Sequence, residues 1–376
     1  MLDRRQTLAL AAAGLATSAV PAFAAGKKPV IVNALGGIMN PNIPLGQKAT
    51  FLPGGEELDI DVRAIADARA SGVTAVNCTL GYVAGPQDPH QFTLEDLDQW
   101  DALLRANPKD LLLVRTAADI LKARDEGRIG VIYGFQNALQ VGEHLERVDQ
   151  YAARGVRVIQ LTYNPANTLG DGSMAPENRG LTPLGRKVVE KLNQARVMVD
   201  LSHSGERTCL DAIAASKAPI SINHTGCRAL ADLPRNKTDA ELRGVAEKGG
   251  FVGVYFMPFL KIDGHPRAAD VVDHIEHALK VCGEDHVGIG TDGSVVGVDD
   301  LAVYQGALEK EIAERRAAGI SASGERPDTY PFVVDLRDRN QFHKLADLLA
   351  GRGVKPRVID KVLGLNFLAY AREIWG

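Results

Sequence analysis

Two apolar runs of this sequence each end on a histidine. The run "VMVDLSH" ends at His203, and "PISINH" ends at His224 about twenty residues later. A third run, "HVGIGTD", ends at Asp292. A lone histidine at a strand end usually caps that strand by hydrogen bonding. Two of them on consecutive strands, facing an acid, favour a metal or catalytic role, because neutral imidazoles are good zinc ligands.

A repeated strand and helix pattern surrounds these residues. Short β-branched runs alternate with segments whose apolar residues recur at three- and four-residue spacing. Eight such units in succession predict a parallel sheet closed into a (βα)8 barrel, the TIM-barrel form of the α/β class. In that fold the carboxyl ends of the strands meet at one mouth, so the two histidines and the aspartate should be neighbours there. The predicted strands are 29–35, 73–80, 129–135, 156–163, 196–203, 218–224, 250–256 and 286–292.

Two long segments interrupt the alternation. The first, "GGIMNPNIPLGQKATFLPGG", follows the first strand and is rich in Gly and Pro. The second runs from Gly293 to about Asp338 and contains a helix-like stretch, "DLAVYQGALEKEIAERRAAG". Both lie where barrel enzymes carry active-site loops. Since neither a low-complexity linker nor a repeat divides the chain, residues 27–376 are predicted to form one domain.

Residues 1–24 differ in composition from the rest. They combine Arg4 and Arg5 with a mildly apolar Ala/Leu stretch and a small-x-small site ending at Ala24. This is typical of an export signal, and the paired arginines favour the twin-arginine route. The stretch is too short and too weakly apolar for a membrane span. We therefore expect a periplasmic or secreted protein without a membrane span.

The composition narrows the classes of partner. The chain has 376 residues, of which 45 % are hydrophobic and 24 % charged, and its formal net charge is −4. No Lys/Arg-rich run interleaved with aromatic residues is present, so nucleic acid is not an expected partner. The four cysteines form no C-x-x-C pair and are predicted to be buried thiols. A small-molecule substrate with a carboxylate is the expected partner, and the sequence leaves a homo-oligomer open.

Six blocks of the sequence, in order, resemble the membrane (renal) dipeptidase family of zinc metallopeptidases. They are "LTYNPANTLGDGS", "GLTPLGRKVVEKLNQARVMVDLSHSG", "PISINHTGCRAL", "PRNKTDAELRGVAEKGGFVGV", "HVGIGTDG" and "VLGLNFLAYAREIW". The resemblance covers most of the chain after residue 27. It implies a (βα)8 barrel of the metal-dependent hydrolase type, with two zinc ions and a bridging hydroxide that attacks the peptide bond of a dipeptide.

The resemblance assigns roles to four residues at the mouth. His203 and His224 correspond to ligands of one zinc ion. Arg235, in "PRNKTD", corresponds to the residue that binds the substrate carboxylate, for which a guanidinium fork is well suited. Asp292 corresponds to the residue that handles protons during hydrolysis.

Other positions depart from the family pattern. Where the family has a D-G-H-N-D motif, this chain has "NALGG", with Leu35 and Gly37 at the two ligand positions. The bridging glutamate is replaced by Gln136, and the histidine of an L-T-H-N motif by Tyr163. Tyr255 begins the segment that corresponds to an N-F-Y run. We expect Gln136 and Tyr163 to take part in catalysis and Tyr255 in substrate binding.

These losses weaken the metal site. Two divalent ions side by side need anionic ligands, and this mouth has lost two carboxylates and one imidazole. We therefore expect at most one divalent ion, zinc or another, or none. Three functions remain open: a divergent hydrolase of a dipeptide or related amide; a repurposed lyase or isomerase that uses Tyr and Asp side chains as acid and base on a carboxylate-bearing molecule; and a non-catalytic binding protein.

Overall fold

The structure is a computed structural model that describes residues 28–43 and 48–376. The predicted export signal, residues 1–24, lies outside the described residues. Within them, one parallel sheet of nine strands forms the centre of the fold. The strands are β1 (Val32–Gly36), β2 (Ala75–Leu80), β3 (Leu111–Leu113), β4 (Ile129–Phe135), β5 (Val156–Gln160), β6 (Met198–Asp200), β7 (Ser221–Thr225), β8 (Phe251–Val254) and β9 (Val287–Ile289).

The sheet curls into the predicted barrel. Its strand order is β1-β2-β4-β5-β6-β7-β8-β9, and every pairing is parallel. The first and last strands meet just beyond β9, where the backbone N–H of Asp292 donates to the carbonyl of Leu35 at 3.0 Å and that of Gly37 to the carbonyl of Gly293 at 3.1 Å. The prediction of an α/β barrel is confirmed.

One strand was not predicted. β3 pairs only with β4, outside the barrel path. It consists of three leucines, which is too short a run to show a two-residue period.

Helices connect consecutive strands and cover the outside of the barrel. Thr182 and Pro183 illustrate how one of them starts: the Thr182 hydroxyl accepts a hydrogen bond from the Gly185 N–H, and Pro183 occupies the first turn. The helices are α1 (Val62–Ser71), α2 (Pro89–Ala106), α3 (Ala117–Glu126), α4 (Glu146–Arg154), α5 (Pro183–Gln194), α6 (Glu206–Ala215), α7 (Asp239–Glu247), α8 (Ala268–Cys282), α9 (Leu301–Ala317), α10 (Gln341–Gly351), α11 (Pro356–Asp360) and α12 (Asn366–Trp375). A π-helical turn, Lys361–Leu365, joins α11 to α12.

Several strands end earlier than predicted at the mouth. The predicted strand 196–203 corresponds to β6, which ends at Asp200. Beyond it, the Ser202 N–H and hydroxyl both donate to the Asp200 carboxylate, at 3.0 and 2.5 Å, instead of continuing the ladder. The Asp200 carboxylate thus turns the chain out of the sheet before His203. Tyr163 and Asp292 also stand on loops, just after β5 and β9.

Three further observations concern the rest of the described chain. No helix in residues 28–43 or 48–376 is long and apolar enough to cross a membrane. All four cysteines are buried free thiols, as predicted. The long segment after β9 contains α9, and it folds back over the mouth of the barrel, where Tyr304, Leu308 and Arg315 line the cavity described below.

Candidate functional site

A cavity of about 410 Å³ opens at the carboxyl ends of the strands. We call it the mouth cavity. Its wall includes five of the residues that the sequence predicted, namely Gln136, Tyr163, His203, Arg235 and Asp292. A volume in this range suits a small-molecule ligand.

His203 is held by bonds at both ring nitrogens. Its Nδ1 lies 2.7 Å from the amide oxygen of Asn164, which can only accept, so Nδ1 carries the proton. Its Nε2 lies 3.2 Å from Nη2 of Arg235, which can only donate. The lone pair of Nε2 therefore accepts a hydrogen bond from the guanidinium. Burial, and then the positive charge of Arg235, hold the pKa of His203 well below its usual value, so the ring is neutral.

Arg235 is buried, with 1 % of its surface exposed. Its Nη1 donates to the carbonyl oxygen of Ser202 at 2.5 Å, and its Nη2 donates to His203. Both acceptors are neutral. A buried guanidinium without an anionic partner in these bonds is a strong site for a ligand carboxylate, because desolvated charge favours an opposite charge.

Tyr255 lies behind Arg235. Its ring centroid is 5.9 Å from the Arg235 Cζ, and its hydroxyl donates to Oδ1 of Asn236. The side chain is fully buried and is not part of the cavity wall. Tyr255 therefore packs against Arg235 with its hydroxyl bonded to Asn236, and its role in substrate binding stays a prediction.

Tyr163 packs against one face of the His203 ring. The two rings stack with centroids 4.2 Å apart. The phenol oxygen accepts a hydrogen bond from Nη2 of Arg315 on α9 at 3.3 Å, and Arg315 forms an ion pair with Glu325 at 2.7 Å. Because a guanidinium only donates, the phenol proton remains available to a ligand. Burial raises the pKa of Tyr163, which keeps the phenol protonated.

Arg315, Glu325 and Asn164 were not predicted as site residues. Arg315 stands in "EKEIAERRAAG", whose charged residues look like an ordinary solvated helix face. Its place in the long segment after the last strand was the only signal. Asn164 directly follows Tyr163 in "LTYN", and nothing in the sequence indicates that its amide would orient His203.

Asp292 has an unusual backbone conformation and environment. Its φ is 58°, in the left-handed region that few residues other than Gly adopt. Its N–H is bonded to Leu35 across the barrel seam, which holds this conformation in place. Burial raises the pKa of its carboxyl to about 6, although Arg235 and Arg315 act to lower it. A carboxyl of this pKa can exchange a proton near neutral pH.

His224 lies on the floor beneath the cavity. Its ring centroid is 4.9 Å from that of His203, and its Nε2 is 3.9 Å from Oδ2 of Asp292. It is fully buried, and neither ring nitrogen has a hydrogen-bond partner in the described structure. Burial, and then the charges of Arg235 and Lys237, lower its pKa well below the usual value.

Gln136 occupies a different side of the cavity. Its Nε2 donates to the hydroxyl of Thr79 at 2.7 Å, and its backbone oxygen accepts from Gln160 at 2.5 Å. The side chain is neutral, so it offers a ligand a polar contact and no charge. Leu35 is buried within the barrel.

These residues do not fit a two-metal centre. Zinc in a catalytic site usually takes three protein ligands. Among residues 28–43 and 48–376, no three His, Cys, Asp or Glu side chains are grouped to hold one ion. His224 has a free lone pair, but the Nε2 lone pair of His203 accepts a hydrogen bond from the positively charged Arg235. A single ion on the two histidines would require Arg235 to move away.

Comparison with known proteins supports the family resemblance found in the sequence. The family model of the membrane dipeptidases (peptidase family M19) matches residues 57–321. An uncharacterized dipeptidase of Schizosaccharomyces pombe is 33 % identical over 245 residues, which is 62 % of this chain and 59 % of that protein. The chain thus matches less than two thirds of that relative's length. A dipeptidase of Claviceps purpurea is 24 % identical over 326 residues, 84 % of this chain and 69 % of its own.

A solved structure supports the same fold. An amidohydrolase from Pseudomonas aeruginosa superposes with a TM-score of 0.76 and 31 % identity, covering 93 % of this chain and 97 % of that one.

Proposed function

Because the chain belongs to the membrane dipeptidase family, we propose that it is a divergent dipeptidase-like hydrolase that acts on a small molecule bearing a carboxylate and an amide bond. The observation that supports this most is the juxtaposition of Arg235 and Asp292 in one cavity. The first is a buried cation bonded only to neutral acceptors, and the second is a carboxyl whose pKa is raised to about 6.

Arg235 binds the substrate carboxylate in this proposal. Its guanidinium is held by Ser202 and His203 at fixed positions, so little side-chain entropy is lost when a ligand binds. Neutral His203 is itself oriented by Asn164. We propose His203 as a support of Arg235 rather than only as a metal ligand.

Asp292 and Tyr163 carry the proton transfers. In its ionised form Asp292 accepts a proton from the water that attacks the amide carbon. Tyr163, whose oxygen accepts from Arg315, donates its proton in a hydrogen bond to the amide oxygen, where negative charge develops. Asp292 then returns the proton to the leaving amine. Gln136 provides a neutral polar contact at the cavity wall.

The family consists of metallopeptidases, but we propose that this chain uses at most one divalent ion. The residues present do not match the ligand set of a two-zinc centre, because Leu35 and Gly37 cannot ligate and Gln136 is neutral. No step above depends on a metal. We expect amide hydrolysis to be much slower than in a two-metal enzyme, since no metal lowers the pKa of the attacking water.

One observation favours a second function, a lyase or isomerase for a carboxylate-bearing molecule. The bond from Arg235 to His203 occupies the lone pair that would bind the metal, while Asp292 and Tyr163 remain as an acid and base pair. Elimination and tautomerisation require proton transfers but no activated water. The same residues would serve both reactions.

The test is an activity panel on the protein without residues 1–24. Dipeptides and N-acyl amino acids would be assayed with added zinc, with manganese and with a chelator, and metal content would be measured on the same sample. Slow turnover that survives chelation and is lost in Asp292→Asn supports the proposal. Chelator-sensitive turnover with kcat of about 10 per second or more would identify an ordinary metallodipeptidase. Binding that depends on Arg235 without any turnover would indicate a non-catalytic binding protein.

A further inference from the structure

The mouth cavity is lined by both charged and apolar side chains, and Glu311, Arg315 and Glu325 line it beside the apolar residues of α9 and the loop after it. Arg235, Asp292 and Gln136 lie at the barrel end. Above them, two apolar walls face the same space, one from the segment after β8 and one from α9 and the loop that follows it. Neither of these two apolar walls is needed to bind a carboxylate or to transfer a proton.

The first wall belongs to the segment after β8. Phe256 and Phe259 line the cavity and are each 3 % exposed, and Met257 lies between them. Phe259 stands in a short 3-10 helix, Pro258–Leu260. Pro258 restricts the backbone at the start of this helix.

The second wall is one face of α9. Tyr304, Leu308 and Ile312 recur at intervals of four residues, so they lie on the same side of the helix, and all three line the cavity. Leu308 is 2 % exposed, whereas Val303, on another face, is 44 % exposed. The helix is anchored at the cavity by the hydrogen bond from Arg315 to Tyr163.

An aromatic contact extends this wall. The ring of Tyr304 meets that of Phe332 edge to face, with centroids 5.2 Å apart. Phe332 also lines the cavity. Aromatic rings arranged in this way accept a further ring or a branched aliphatic group by edge or face contact.

We propose that the substrate is amphipathic: a small carboxylate-bearing molecule that carries a bulky apolar group, aromatic or branched, bound between α9 and the segment after β8. This inference rests on the proposed function, because the carboxylate on Arg235 sets which end of the ligand reaches the apolar walls. A ligand with only small side chains would leave the partly exposed Met257, Tyr304 and Phe332 in contact with water and gain little from their burial. Tyr304, Met257 and Phe332, which line the cavity and are partly exposed, are then the residues that determine specificity.

The test measures binding rather than turnover, so that it does not depend on the reaction type. Two dipeptide series would be titrated calorimetrically into the catalytically impaired Asp292→Asn variant. One keeps a C-terminal alanine and varies the first residue through Gly, Ala, Leu and Phe; the other keeps an N-terminal alanine and varies the second. We expect affinity to rise by roughly ten- to a hundredfold from Ala to Phe in at least one series. Affinities equal within twofold across both series would overturn the inference.

Variants of α9 test where the apolar group of the ligand binds. Leu308→Trp fills the space and should abolish the preference for Phe over Ala. Val303→Trp adds the same bulk on an exposed face and should leave every affinity unchanged. Tyr304→Leu, at a half-buried position, serves as a second variant if Leu308→Trp is unstable, and should weaken the Phe dipeptide selectively. A Phe preference that is unaffected by both cavity variants would contradict the assignment.

Arg235→Ala separates the two proposals. If dipeptide binding depends on Arg235 but shows no apolar preference, the proposed function stands and this inference is wrong. If no dipeptide binds, or binding is independent of Arg235, the proposed function fails, and this inference fails with it.

Discussion

The guanidinium of Arg235 donates a hydrogen bond to Nε2 of His203 at 3.2 Å. This bond joins the residue expected to bind the substrate carboxylate to one expected to bind a metal. One lone pair cannot serve both partners, so metal binding at His203 and the present position of Arg235 exclude each other.

Removing Arg235 should therefore improve metal binding. In Arg235→Ala the Nε2 lone pair of His203 becomes free and a nearby positive charge is lost, so zinc should bind about tenfold or more tightly than to the wild type. Titration calorimetry with zinc at neutral pH measures this directly. The double variant Arg235→Ala, His203→Ala is the control and should lose the gain. Equal zinc affinity in wild type and Arg235→Ala would show that the bond does not restrict the site.

Arg235 should also determine ligand binding. Arg235→Ala is expected to weaken binding of a carboxylate ligand by about a hundredfold, and Arg235→Lys to recover only part of this, because lysine keeps the charge but not the planar fork. Calorimetry or KM would report the change. Arg228→Ala is a matched control, since Arg228 lies on the same loop, pairs with Glu206 and is outside the cavity wall. Comparable losses in both variants would argue against a specific role.

Activity should decrease at low pH, because Asp292 becomes protonated there. Burial raises the pKa of this carboxyl to about 6 in the free protein. Below that pH it is protonated and cannot act as a base, and above it the ionised form is available, so kcat/KM should rise through about pH 6 and then level off. A pH profile of kcat/KM measures this rise. Asp292→Asn should abolish activity, and an unchanged profile with substantial activity in that variant would assign the base elsewhere.

Arg315 should act on turnover through Tyr163. Arg315→Ala removes the donor that orients the phenol, so kcat should fall by about tenfold or more while KM changes little, and Arg315→Lys should recover part of it. Tyr163→Phe should lower kcat at least as far. Lys310→Ala, whose side chain is 81 % exposed on the same helix, is the control and should behave as wild type. A change confined to KM would make Arg315 a binding residue instead.

Export should depend on the arginine pair near the start of the chain. Replacing Arg4 and Arg5 by Lys should retain the protein in the cytoplasm, because the twin-arginine receptor recognises that pair. Fractionation of cells producing the full chain measures the location. Arg372→Lys, the same substitution at an exposed position far from residues 4 and 5 in the sequence, should not alter the location. Unchanged export of the Arg4 and Arg5 variant would show that another signal is used.

The barrel and the position of its mouth could be predicted from local patterns. β4 coincides with the predicted strand 129–135, and α9 lies within the helix-like stretch after the last strand, because periodicity and flanking turn residues act within a few residues of chain. Convergence of strand ends then places Tyr163, His203 and Asp292 at one mouth without further information. The three leucines of β3 are too short a run to show a period, and their pairing with β4 was visible only in the folded sheet.

The chemistry of the mouth was decided by contacts between distant segments. Residues 203 and 235 are 32 positions apart, and 163 and 315 are 152 apart, so no local pattern reports their hydrogen bonds. The sequence by itself determined which side chains are present, and its resemblance to the family indicated which ligand positions carry no metal-binding side chain. Only closure of the barrel and the return of α9 across it determined that Arg235 occupies the lone pair of His203, that Arg315 meets Tyr163 and that burial raises the pKa of Asp292. Each of these depends on distances of a few ångströms and on exclusion of water, which exist only in the folded chain.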